Sequence, residues 1–336
     1  MKLTPRKLKV KGGILRKDGI RYGYLAGATW HSEMRRLSPI VAMLMMFISV
    51  QLVALLLVPI FPSDYRAFED VNNPTNPLVY FVLIILITII VLALIRFGRR
   101  GILRAIFMGA MAITLVFVFL PILYAIYQDV LLDFFLSMAI SALLVASVLM
   151  KPEWYTVDLV ALLVAFGVTV VLGMSLGILP AIILLVILAM YDAVSVYWTK
   201  HMVTLAGGVA PLQLPVLFVI PKSRDFKMSD LKEEDVTADN KEREAMFMGV
   251  GDAVIPGILV VSSFVFLPSM ANGIGNASLL VALGAMIGGV IGFMALMRYV
   301  VTGRPQAGLP LLNGGTLLGF VVSYLLVFQN LSFGIV

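Results

Sequence analysis

Nine apolar runs, each about 20 residues long, divide this chain, and they leave it few ways to fold. They occupy residues 40–61, 78–95, 105–127, 131–150, 155–172, 179–198, 245–267, 278–297 and 309–328. At 1.5 Å per helical residue, such a run matches the ~30 Å hydrocarbon core of a bilayer. No water satisfies backbone groups there, so a spanning segment must close its own hydrogen bonds as a helix or join a closed barrel. Continuous rather than alternating runs select the helix. The expected fold class is all-α, a polytopic membrane protein with nine transmembrane helices. Composition agrees: 61% of residues are hydrophobic and 13% charged, against about 45–50% and 25% in soluble domains. Pro121 falls inside the third run and is expected to kink it, as neighbouring helices allow.

The charges between the runs set the topology. Of the 25 Lys and Arg residues, 24 fall on alternate connections. These are the first 36 residues, the segment from Arg96 to Arg104, Lys151, the long connection from Lys200 to Arg243, and the pair Arg298 and Arg304. The other side carries only Arg66, with Asp64, Glu69 and Asp70 around it. Basic residues stay on the cytoplasmic side, so the amino terminus is expected inside and the carboxyl terminus outside. The chain then reads as a basic cytoplasmic tail (1–36), helices one to six (37–200), a cytoplasmic loop (201–244) and helices seven to nine (245–336). The tail shows no apolar stretch long enough for a cleavable signal, and its charge suits a topology anchor or anionic headgroups. The expected location is the cell membrane. The net charge of +6 is accounted for by topology, so nucleic acid is not an expected partner.

Composition also narrows the chemistry. With no cysteine, thiolate metal sites, disulfides and cysteine nucleophiles are excluded. His31 and His201 are the only imidazoles, too few for a histidine-built metal centre. No metal or cofactor is expected. Within the long connection, Pro211 to Pro221 has prolines at both ends around a β-branched, aromatic middle, which favours a short extended piece. Residues 223–244 are dense in both charge signs and read as a solvated loop.

Two aspartates sit where a membrane span makes them costly. A central Asp opposes insertion by roughly 2.5–3.5 kcal/mol. Asp192 lies 8 residues before Lys200 and Asp252 lies 9 after Arg243. On antiparallel helices both fall about 12–14 Å from the same membrane face. Gly249 and Gly251 beside Asp252 are small enough for close helix approach. Two carboxylates in one dry site cannot both ionise, which leaves one acid and one base. Such a pair can deprotonate a water while protonating a peptide carbonyl. Tyr191 serves equally as a hydrogen-bonding neighbour or a packing aromatic.

These residues carry a resemblance. Tyr191-Asp192 in one run, Gly249-Val250-Gly251-Asp252 in the next and a proline-leucine motif around Pro310 resemble the signature of the presenilin and signal peptide peptidase family, nearest to its archaeal members. The resemblance implies nine spans, an intramembrane aspartyl endopeptidase, transmembrane-helix substrates within the lipid bilayer, and Asp192 and Asp252 as the catalytic dyad. The family's Pro-Ala-Leu is not intact. Matched on its proline it becomes Pro310-Leu311-Leu312; matched on the Leu-Pro next to it in presenilins it becomes Ala307-Gly308-Leu309 before Pro310. Both registers stay open. Residues 215–221, with Leu217, Phe218 and Val219 at their centre, resemble a segment that pairs with extended substrate. The loop is short for a presenilin, so self-cleavage is not expected.

The rival reading is an ion channel or proton-coupled transporter using the same buried aspartates. It needs polar residues across the whole membrane, and the outer halves of runs six and seven offer only Ser262 and Ser263. Gly284, Gly288 and Gly292 repeat every four residues and predict close packing of the eighth helix on a neighbour. Gln51, Asp129 and Asp133 are expected to make interhelical or interfacial contacts, and Lys200 and His201 to anchor a helix end. Homo-oligomerisation is left open.

Overall fold

The computed structural model describes residues 22–198, 212–223, 226–228, 244–300 and 306–333. The chain divides into two units, residues 1–38 and 39–336, and the packed core and the site belong to the second. Among the described residues there are nine α-helices. They are α1 (Tyr22–Leu57), α2 (Asn76–Arg96), α3 (Arg100–Tyr127), α4 (Val130–Met150), α5 (Trp154–Ser175), α6 (Ile178–Tyr197), α7 (Val250–Phe266), α8 (Ala277–Val300) and α9 (Leu309–Phe328). Eight contain a stretch long and apolar enough to cross a membrane, and α7 is a shorter apolar helix of 17 residues. The protein is a multi-pass, mostly helical membrane protein.

The expected runs locate the helices, with three corrections. The first helix begins at Tyr22 rather than at 40, and the third at Arg100 rather than at 105. Polar flanks can continue a helix that hydropathy alone does not mark. The third correction bears on the site. The seventh run is not helical throughout: Ala245–Gly249 is a strand, β2, and α7 starts only at Val250. Its partner is β1, Leu217–Pro221, the extended piece expected from its bracketing prolines. Of the charged loop, residues 229–243 lie outside the described residues. So do Lys200, His201 and Arg304.

Sequence explains much of the packing. Gly284, Gly288 and Gly292 of α8 face Ser323, Gly315, Gly319 and the Leu311 carbonyl of α9. A Cβ at Gly288 would strike the backbone of both Gly315 and Gly319. The two backbones therefore touch, as the four-residue repeat predicts. A second close approach joins α7 to α5 and α1, where a Cβ on Gly257 would come 2.7 Å from Thr169 Cγ2 and 3.4 Å from Gln51 Cγ.

The two-stranded sheet lies between two apolar clusters. Phe218, Ile220, Met246 and Met248 pack with Met43 and Phe47 of α1 and Phe293 of α8. Val219 and Ala245 pack with Leu103 and Val160, from α3 and α5. Asp129 caps α4, accepting from the Leu131 and Leu132 N–H groups at 3.1 and 3.2 Å. Asp133 and Gln51 are buried, and their side-chain polar atoms have no hydrogen-bond partner among the described residues.

Candidate active site

Helices α6, α7 and α9 pack on one another, and the two aspartates lie at that junction. Asp192 shares the buried stripe of α6 with Leu185, Leu188 and Ser195, at spacings of three, four and seven. One face of a helix does this. Asp252 is the third residue of α7 and half-buried. It does not sit deep in a helix, because β2 occupies the preceding residues. Its carboxylate accepts the N–H of Gly249, the residue capping α7. An acidic side chain at the third helical position often reaches back in this way, and the positive end of the helix dipole favours it. A Cβ on Gly249 would stand 3.3 Å from Asp252 Oδ2, so glycine gives the carboxylate room.

Gly251 behaves differently from expectation. It is exposed, and a Cβ there would meet nothing nearer than Ile255 Cδ1 at 3.9 Å. Among the described residues it supports no close helix contact; the close approach of α7 is made at Gly257 instead.

Both carboxylates converge on the start of α9. The Leu309 N–H donates to Asp192 Oδ2 at 3.0 Å, and the Gly308 N–H serves the same carboxylate. The first amides of a helix have no partner within it, so Asp192 caps α9 from across the helix interface. Gly308, in turn, stands against Asp252: a Cβ there would lie 3.6 Å from Asp252 Oδ2. Two adjacent residues, Gly308 and Leu309, thus touch the two carboxylates. Pro310 lies within the first turn of α9, where a missing N–H costs nothing. Leu309 is buried at this junction. Leu311 and Leu312 point elsewhere, Leu312 into the cluster of α1 and α8, with the Leu311 carbonyl against Gly292.

Some of these supports carried no sequence signal. The Tyr197 hydroxyl donates to Gln306 Oε1 at 2.7 Å and accepts the Ala307 N–H at 3.4 Å. Asn313 Nδ2 donates to the Leu185 carbonyl at 2.9 Å, tying α9 to α6 again. Tyr191 packs edge-on against Phe81 of α2, ring centroids 5.7 Å apart.

The sheet leads into the same place. Val250 N–H donates to the Val216 carbonyl and Lys222 N–H to the Glu244 carbonyl. With the antiparallel register Phe218 to Met248 and Ile220 to Met246, even-numbered residues bond across the sheet and odd-numbered ones turn outward. On β2 the outward residues are Ala245, Phe247 and Gly249, the last already donating to Asp252. Among the described residues no hydrogen bond reaches the outward N–H and C=O of Phe247. On β1 the outward Val219 N–H donates to Asp158 Oδ1 of α5 at 2.9 Å.

Residues 44–329 match the family described as signal-peptide peptidase, presenilin aspartyl protease. The chain belongs to this family. Solved structures of a presenilin family intramembrane aspartate protease agree. One, in a P2 space group, is 32% identical with a TM-score of 0.63, covering 86% of this chain and 98% of its own. Another, in a C222 space group, is 31% identical with the same TM-score, covering 86% of this chain and 100% of its own. No curated protein matches. The protein is an intramembrane aspartyl endopeptidase, hydrolysing peptide bonds within transmembrane helices with two aspartates that activate water. The transport reading finds no support: the Ser262 and Ser263 hydroxyls are buried and engaged by the carbonyls of Leu176 and Leu259.

Proposed function

We propose that Asp192 and Asp252 are the catalytic dyad of this protease. The observation that carries the assignment is the shared contact with Gly308 and Leu309, which draws together carboxylates 60 residues apart in sequence. One carboxylate takes a proton from water as its oxygen attacks the peptide carbonyl carbon. The other, protonated, gives its proton to the carbonyl oxygen. Collapse of the resulting diol breaks the C–N bond, and the amine leaves with a proton. The pair titrates as a unit, so each proton belongs to the dyad rather than to one residue.

The contacts also favour one register for the proline motif, with Ala307-Gly308-Leu309-Pro310 forming its working part and Leu311 and Leu312 packing the helix behind it. A peptide bond inside a helix is shielded, so substrate must be extended before hydrolysis. We place the extended stretch on the outer edge of β2, where Phe247 offers an N–H and a C=O two residues before Gly249. Strand addition of this kind gives affinity through main-chain hydrogen bonds. Leu217, Phe218 and Val219 of β1 then back the sheet rather than pair with substrate.

In the membrane we propose nine spans, α7 being the short seventh, with the amino terminus cytoplasmic and the carboxyl terminus outside. Residues 1–36 are the basic cytoplasmic tail, 37–200 the first six helices, 201–244 the cytoplasmic loop and 245–336 the last three, in the cell membrane. The test is incubation of the purified protein with a transmembrane peptide, with and without a hydroxyl-bearing mimic of the diol. Cleavage blocked by the mimic is expected; cleavage indifferent to it would refute the mechanism.

A further inference from the structure

Helix α9 carries the Leu309 amide that holds Asp192, so its position along its own axis decides whether that amide reaches. Its contact with α8 does little to fix that position. Gly315 and Gly319 meet Gly284, Gly288 and Gly292 almost backbone to backbone. Such a face has no side chains to interlock. A slide of α9 by four residues toward its start, about 6 Å, would set Gly319 and Ser323 where Gly315 and Gly319 stand, and both are small. Other ties are slight. The Ser323 hydroxyl lies 3.2 Å from the Val281 carbonyl of α8 but is closer to its own helix, 2.7 Å from the Gly319 carbonyl. Asn272 donates to the carbonyls of Val327 and Phe328, but it sits on an exposed hairpin turn.

We propose that Asn313 is a positioning residue that sets the register of α9 on α6 and thereby holds the Leu309 N–H on Asp192. The inference rests on the dyad reading. At about 100° per residue, Asn313 lies nearly opposite Gly315 on α9 and on the same face as Leu309. Its side chain is fully buried, and Nδ2 donates to the Leu185 carbonyl at 2.9 Å. Leu185 belongs to the buried stripe of α6 that also carries Asp192, two turns further on. The pairs Leu185–Asn313 and Asp192–Leu309 are therefore two rungs of one antiparallel ladder. A hydrogen bond to a carboxylate weakens when that carboxylate is protonated. The Asn313 rung is neutral and stays the same while the dyad gains and loses protons.

This rung costs stability. Asn313 Oδ1 is buried with no hydrogen-bond partner among the described residues. The Leu185 carbonyl lies inside α6, where the amide four residues on already serves it. Replacing Asn313 by a hydrocarbon thus orphans no group and removes one that is unsatisfied. A buried Asn that gives up stability to specify one helix alignment is an attested device. A residue that only stabilised the fold would lower Tm and rate together. A register pin lowers the rate alone.

The chain contains no cysteine, so spin labels at Met190→Cys on α6 and Leu326→Cys on α9 report axial position in the full-length protein in liposomes. Both side chains are exposed, and the labels stand about 20 Å apart along the helix axes. With Asn313 present, one narrow distance is expected. Asn313→Leu is expected to broaden that distribution or add a second distance several ångström away. On a reconstituted single-span substrate it should lower kcat at least about tenfold and keep KM within about twofold, with Tm unchanged or raised. Asn313→Gln keeps the amide donor and is expected to restore the single distance, with kcat within about fivefold of the unsubstituted protein. Asn313→Ala stands in should leucine prevent folding. A folded Leu or Ala variant that keeps both the single distance and the full kcat overturns the role of Asn313. So does a changed distance with full kcat, a lowered kcat with unchanged distance, or a rate that falls only as Tm falls. If Gln behaves like Leu, the hydrogen bond is not the cause and the proposal fails equally. Survival of cleavage in Asp192→Asn would instead overturn the dyad reading beneath it.

Discussion

Substitutions at Gly308 probe the junction of the two carboxylates. Its backbone serves Asp192 through the N–H, and its missing side chain faces Asp252. Its φ of −78° and ψ of −47° are open to any residue. A Cβ added there would lie 3.5 Å from Leu296 Cδ2 and 3.6 Å from Asp252 Oδ2, which is ordinary contact. Gly308→Ala is therefore expected to keep cleavage within about a factor of two. It should also stabilise the protein by about 0.4–1 kcal/mol, because alanine restricts the unfolded chain. Gly308→Leu adds carbons about 1.5 Å further out each, directed into the space between Leu296 and the Asp252 carboxylate. Something must then move by about 1 Å, and misplacement of that size costs about 10²-fold in rate, or ~2.7 kcal/mol of transition-state stabilisation. The assay is kcat on a reconstituted single-span substrate, alongside thermal unfolding in detergent. A tenfold loss in Gly308→Ala, or wild-type cleavage in Gly308→Leu, would refute the claimed contact.

The packing sets three more expectations. Gly288→Leu would drive a side chain into the backbone of Gly315 and Gly319; overpacking typically costs 1–3 kcal/mol and rigid backbone puts this at or above the upper end, visible as a lowered Tm with cleavage lost in parallel. Gln51→Leu removes a buried amide that has no partner among the described residues and should raise stability by about 1–3 kcal/mol, read from the same unfolding curves; a fall of that size would contradict it. Tyr197→Phe loses the bonds to Gln306 and Ala307, and since this site is exposed the expected cost is ~0.5 kcal/mol, a two- to threefold drop in kcat with little change in KM.

The helices were legible because lipid imposes one strong rule on every span, and hydropathy reads that rule directly. The α8–α9 contact was legible from Gly284, Gly288 and Gly292, although the repeat does not say that Gly315 and Gly319 are its counterparts. The start of α7 was not. Ala245 to Gly249 is as apolar as the helix after it, and only pairing with the distant Leu217–Pro221 segment makes it a strand. Tyr197, Asn313 and Asp158 escape a sequence reading for a related reason. Each acts through a backbone group of a distant segment, and a backbone N–H or C=O looks the same at every position of a sequence. The two aspartates proposed as the dyad stood out in the sequence, because an acid in a span is expensive and two at one level are rarer still. What brings the acids together, the opening of α9, carries no charge and was marked only by its proline.

Asp192 and Asp252 are expected to act as one hydrolytic pair. The most direct measurement is cleavage of a reconstituted single-span substrate by Asp192→Asn and by Asp252→Asn, with thermal unfolding to verify the fold. Each variant should remain folded and lose at least about 10²–10⁴-fold in rate, the contribution of one general acid or base. Wild-type cleavage by either folded variant would contradict the pairing.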